Sequence, residues 1–127
     1  MILYEKPERG SKADWWAEQS KKLLDYQKQS WPLLNENYKK LSNVKIRTFE
    51  FDGFEIKAQF NSARIESSSA DVSDVAIKSR KCFLCLNNLP IEQTALEYNK
   101  NFVILANPFP IFPEHFTISK KNILLKQ

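Results

Sequence analysis

Glycine is nearly absent, with two residues in 127. A P-loop or dinucleotide-binding loop uses several glycines to bring backbone N–H groups against phosphate, so that kind of nucleotide site is excluded. Histidine occurs once, as His115, and cysteine twice, as Cys82 and Cys85. Two cysteines three positions apart do not form a secreted disulfide framework. No apolar stretch is long enough to cross a bilayer. The opening residues, Met1-Ile2-Leu3-Tyr4-Glu5-Lys6, lack the apolar core of a signal peptide. The expectation is a cytoplasmic protein with no membrane partner.

What is present is a globular composition. Hydrophobic residues make up 43% and aromatics 13%, including nine Phe and three Trp, which separates the chain from disordered sequences. A length of 127 residues suits a single domain spanning 1–127. The net charge is +4 and the pI about 9.1. The basic residues are scattered, and the denser spots, such as Lys21-Lys22, Lys39-Lys40 and Lys120-Lys121, are dipeptides on solvated faces. Nucleic acid is therefore not an expected partner. A basic cleft that attracts a phosphorylated small molecule fits the same charge.

The chain divides into a helical part over 1–42 and an antiparallel-sheet part over 43–127. Ser11 with Asp14 reads as a capping box opening a helix over 12–29, whose apolar side carries Trp15, Trp16, Leu23, Leu24 and Tyr26. Pro32 disfavours continuation through Trp31, and Ser30 is placed to cap a second short helix with Pro32 in its first turn. Leu34, Tyr38 and Leu41 fall on one face of that helix. From Val44 the period becomes two. Val44, Ile46 and Thr48 alternate, then Phe49 and Phe51 take the opposite phase, which predicts a bulge near Thr48-Phe49. Phe54, Ile56, Ala58 and Phe60 alternate after Asp52-Gly53, a strong hairpin signal. The small residues over 67–73 read as a loop and those over 75–78 as a helical turn. The run over 102–106 reads as a buried strand and Phe116-Thr117-Ile118 as the next. Three prolines over 107–113 predict an extended, stiff connection between them. The fold class is α+β.

Several side chains have chemistry to offer. Cys82-Phe83-Leu84-Cys85 can hold one zinc ion through two thiolates, with His115 and a carboxylate, water or second chain as further ligands. The same pair can serve redox chemistry, although no thioredoxin-like βαβ context surrounds it, or be inert thiols. His115 has no second histidine to orient it as a catalytic base, so a hydrogen-bonding structural role is expected. Asn61 and Arg64 follow the second hairpin strand, where an amide and a guanidinium suit a base edge or a phosphate. A turn-supporting Asn61 and a surface-paired Arg64 account for them equally. Phe109 and Phe112 can form an apolar wall for a nucleobase or pack in the core.

Two segments together resemble a known group. Cys82-Phe83-Leu84-Cys85 with Leu89-Pro90-Ile91-Glu92-Gln93, and Asn107-Pro108-Phe109-Pro110-Ile111-Phe112-Pro113-Glu114-His115-Phe116-Thr117-Ile118, are similar to plant GDP-L-galactose phosphorylase. They also resemble bacterial proteins of the galactose-1-phosphate uridylyltransferase and ATP adenylyltransferase group, within the histidine-triad superfamily. Gln59-Phe60-Asn61-Ser62-Ala63-Arg64 is similar to the sheet segment before the cysteine pair in those bacterial proteins. The resemblance implies an antiparallel sheet flanked by helices, a histidine-triad-like half-domain. It implies binding of a nucleoside diphosphate or nucleotide sugar, with Asn61, Arg64, Phe109 and Pro110 shaping the nucleotide pocket. It also implies a structural zinc at Cys82 and Cys85 that histidine completes, for which this chain offers His115. In active relatives a histidine of a downstream H-x-H motif attacks the α-phosphorus and forms a covalent nucleotidyl-histidine.

The departures bear on catalysis. Relatives continue after this stretch with a histidine, often in H-x-P-Q, whereas here Asn122 and Ile123 stand near that place and the chain ends at Gln127. The expectation is a catalytically incomplete nucleotide-pocket half-domain without transferase activity alone. The alternative is a homodimeric interaction module without nucleotide binding, using an unpaired sheet edge and the apolar residues at 123–125. Further readings are a salt-sensitive nucleic-acid binder and an enzyme completed by a separate chain that supplies the histidine motif.

Overall fold

A computed structural model describes residues 12–121 of the chain. Helix α1 spans Lys12–Ser30 and α2 spans Pro32–Lys40. Burial on α1 falls on Gln19, Leu23, Leu24 and Gln27, a stripe at helical spacing. The helix stops because Trp31 precedes a proline and takes extended backbone, φ −126° and ψ 96°. Pro32 then opens α2, where its missing N–H is no loss. The predicted Ser30 cap is corrected. Trp31 holds the cap position without a side-chain hydrogen bond, and the Ser30 hydroxyl donates instead to Tyr26 O one turn back at 2.9 Å. The Ser11 cap and residues 122–127 lie outside the described residues. No described helix is long and apolar enough to cross a membrane.

A single 3₁₀ turn, Leu41–Asn43, leads into strands β1 (Lys45–Phe51) and β2 (Phe54–Phe60). They pair antiparallel without interruption, from Lys45 opposite Phe60 to Phe51 opposite Phe54. The predicted bulge is therefore absent. The phase slip in the apolar pattern has another cause: every residue of both strands is exposed, so neither face is held to one polarity by burial. Positive φ occurs at Gly53 (+82°) and not at Asp52, so this two-residue turn has the φ pattern of type II rather than type I′.

A 3₁₀ turn at Ser62–Arg64 and the short helices α3 (Ile65–Ser68) and α4 (Asp74–Ser79) follow. Ser73 caps α4 by accepting from Ala76 N at 3.3 Å. A second antiparallel sheet contains β3 (Ala95–Tyr98), β4 (Phe102–Ala106) and β5 (Phe116–Lys120) in that order. The fold is α+β, with N-terminal helices followed by antiparallel sheets.

The core has three layers, and β4 lies at its centre. On one face of the sheet, Leu96, Ile104 and Ala106 meet Leu23, Leu24, Trp31, Leu34 and Tyr38 from the two helices. On the other face Ala95, Val103 and Leu105 are covered by Leu84, Leu86 and Leu89, which follow or overlap the cysteine pair. The apolar run over 102–106 is continuous because both faces of β4 are covered. Trp16 packs edge-on against Tyr98 with centroids 4.7 Å apart, extending the helix side of the core.

Candidate functional site

The β4–β5 connection departs from the predicted extended form. It bends at 108–109 and again over 111–114. The Asn107 side chain accepts from Phe109 N at 2.8 Å, and Ile111 N donates to His115 Nδ1 at 3.2 Å. Prolines fix φ, but these two local bonds turn the chain back on itself.

Buried polar groups from the helices hold this connection and the segment before β3. Asn37 donates to Pro108 O at 2.8 Å. The Tyr38 hydroxyl donates to His115 O at 3.1 Å and accepts from His115 N at 3.3 Å. Burial, the largest influence, keeps the Tyr38 phenol protonated above its ordinary range. Gln27 is fully buried, accepts from Thr94 N at 2.8 Å and donates to Glu92 O at 2.9 Å. Gln93, between those two anchored residues, is thereby fixed in place.

The fixed segments border a cleft of about 430 Å³, within the size range of small-molecule sites. Trp31, Phe83, Leu105 and Phe109 give it an apolar, largely aromatic wall. Arg80, Gln93 and Asn107 add a guanidinium and two amides. The helix junction, the end of α4, the cysteine turn, the segment before β3, strand β4 and the proline-rich connection all meet here.

The predicted site residues separate into two groups. Phe109 lines the cleft. Asn61, Arg64 and Pro110 do not line it; Asn61 is bonded to Pro110 of the connection, and Arg64 lies near His115 at the end of it. The Asn61 amide donates to Pro110 O at 2.9 Å, and its oxygen accepts from Ala63 N at 3.2 Å. Arg64 lies close enough to His115 for its charge to act on the imidazole. Burial first, and Arg64 second, hold His115 below its ordinary value of 6.5. Accepting at Nδ1 requires the neutral ring with its proton on Nε2.

The cysteines flank Phe83 and Leu84, so the thiol pair borders the cleft wall. Cys85 N donates to Cys82 O at 3.3 Å, and the Asn88 amide donates to the same oxygen at 2.9 Å, which closes the turn. The hydrogen bond from Cys85 holds the Cys82 thiol down, and the same contact pushes Cys85 up. Two thiols fill two positions of a tetrahedral zinc site. Among the described residues no group of three or more His, Cys, Asp or Glu forms a metal cradle. His115 is thus not gathered with Cys82 and Cys85 among the described residues.

Sequence reading passed over Trp31, Arg80, Gln93 and Asn107 as site residues. Trp31 carried a signal, since a large aromatic immediately before a helix-opening proline marks a fixed junction. Arg80 and Gln93 carried none, because each becomes part of the cleft only through tertiary packing.

A family model described as a domain of unknown function, DUF4922, matches residues 23–126. The chain belongs to this family. The DUF4922 match covers the end of α1, the hairpin, the cysteine turn and both proline-anchored segments, so every residue of the cleft falls within it. Neither the curated proteins nor the solved structures contain a match to the chain.

Proposed function

We propose that the cleft seats a nucleoside diphosphate or nucleotide sugar and that the chain is a nucleotide-pocket half-domain of histidine-triad type. The observation that carries this reading is the composition of the cleft: aromatic walls at Trp31, Phe83 and Phe109, with Arg80, Gln93 and Asn107 among them. A nucleobase stacks on aromatic faces, amides read its edge, and a guanidinium matches the geometry of phosphate. The resemblance of the segment over 107–118 to nucleotidyltransferases and phosphorylases supports the same ligand class.

The proposed activity is binding without transfer. The only histidine is His115, and its Nδ1 is occupied as an acceptor within the connection. It is not among the cleft residues, so it has no route to an α-phosphorus there.

Calorimetric titration with GDP, ADP and a UDP-sugar tests the reading. Saturable heat is expected, and Phe109→Ala and Arg80→Ala should each weaken binding by about 1–3 kcal/mol. No heat at millimolar ligand overturns the proposal.

A specific observation favours a second reading, self-association as a homodimer. The hairpin exposes Phe49, Phe51, Phe54, Ile56 and Phe60, and a contiguous apolar patch of that kind marks an interaction surface.

A further inference from the structure

We infer that one face of the β1–β2 hairpin docks on the same face of a second copy, with the two hairpins antiparallel about a two-fold axis. The inference rests on the self-association reading and adds to it the surface, the orientation and the charges that set that orientation.

The register defines the face. Residues paired across the ladder share a side, so Phe51 and Phe54, Phe49 and Ile56, Arg47 and Ala58, and Lys45 and Phe60 project together. The opposite side carries Ile46, Thr48, Glu50, Glu55, Lys57 and Gln59. Gln59, on that polar side, donates to Ile111 O at 3.3 Å. The polar side is therefore the one tied to the body of the protein, and the aromatic side is turned away from it. Phe49 is 43% exposed, Phe51 52%, Phe54 59%, Ile56 51% and Phe60 65%. A two-stranded sheet is marginal on its own in water, so this face needs a cover.

The area suits a second copy. With aromatic side chains of about 200 Å² each, these exposures leave about 500 Å² of apolar surface per copy. Two copies bury about 1,000 Å², the threshold for a specific interface.

Charge selects the orientation. Lys45 and Arg47 lie at the base of the hairpin, and Arg47 reaches across Phe49 at 5.4 Å from its ring centroid. Asp52 lies in the turn, whereas Glu50, and Glu55 with its Lys57 partner at 3.2 Å, project from the opposite side and stay out of the interface. A parallel arrangement stacks Lys45 and Arg47 of one copy on the same two cations of the other, like charge on like. The antiparallel arrangement separates the two basic bases and sets each beside the turn of the other copy, where Asp52 lies.

Sedimentation equilibrium of the full chain provides the test. The wild type should dimerise, and Phe49→Ser with Phe54→Ser should weaken association at least about tenfold. The tryptophan unfolding transition should be kept, because neither side chain reaches the core. Lys45→Glu with Arg47→Glu should also weaken the dimer, and adding Asp52→Lys should restore it. A wild-type monomer at high concentration overturns both this interface and the self-association reading. A dimer unaffected by the Phe variants overturns the interface and leaves self-association standing. A dimer that depends on the Phe residues but ignores charge reversal overturns the antiparallel orientation.

Discussion

Gln27 is the residue whose loss should be felt furthest from its own position. Its side chain is fully buried in α1, and its amide joins Thr94 N at 2.8 Å and Glu92 O at 2.9 Å, 67 and 65 residues away. Gln27→Ala removes an acceptor and a donor at once, leaving one backbone N–H and one backbone C=O without partners. Each orphaned group costs about 1–3 kcal/mol, and the vacated volume adds to this unless water enters it. The two orphaned groups together give an expected loss of about 2–6 kcal/mol. Urea denaturation followed by tryptophan fluorescence measures it as a lower midpoint at unchanged slope. Gln93 sits between the two released residues and borders the cleft, so nucleotide affinity should fall in the same variant. A loss below about 0.5 kcal/mol would refute the reasoning, since it would mean the amide is dispensable to the segment before β3.

Tyr38→Phe should destabilise the protein by about 1–3 kcal/mol, because the hydroxyl contacts both the N–H and the C=O of His115; equal melting temperatures would contradict this. His115 gives a pH signature. Its pKa is lower in the folded state than its ordinary 6.5, so its contribution is fully present above that value and is lost as pH falls toward the folded value. His115→Gln should flatten the stability profile across that window, and an unchanged slope would remove His115 as its source. Gly53→Ala should weaken the hairpin by about 1–2 kcal/mol through its φ of +82° alone, since no atom lies within 4 Å of an added Cβ. Amide exchange in β1 and β2 reads that loss.

Local patterns in the sequence account for the elements that local forces build. The helix break at Trp31-Pro32, the face of Leu34, Tyr38 and Leu41, and the Asp52-Gly53 hairpin all follow from backbone restrictions and spacing. Strand β3 was not legible, because Ala95-Leu96-Glu97-Tyr98 is too short to show a period. The false bulge has a physical lesson. Alternation reports a buried face, and the hairpin has none within one copy of the chain. The site was less legible than the fold. Phe109 could be read from its motif, but its neighbours in the cleft depend on three polar clamps, Gln27, Asn37 and Tyr38. Their partners lie 65, 71 and 77 residues away, beyond any local pattern.

Amide chemical-shift mapping with GDP tests most directly the proposal that the cleft beside Phe109 seats a nucleotide. Saturable shifts are expected, centred on Arg80, Gln93, Asn107 and Phe109, with the hairpin amides unmoved. Absence of shifts at millimolar GDP, or shifts confined to residues away from the cleft, would contradict it.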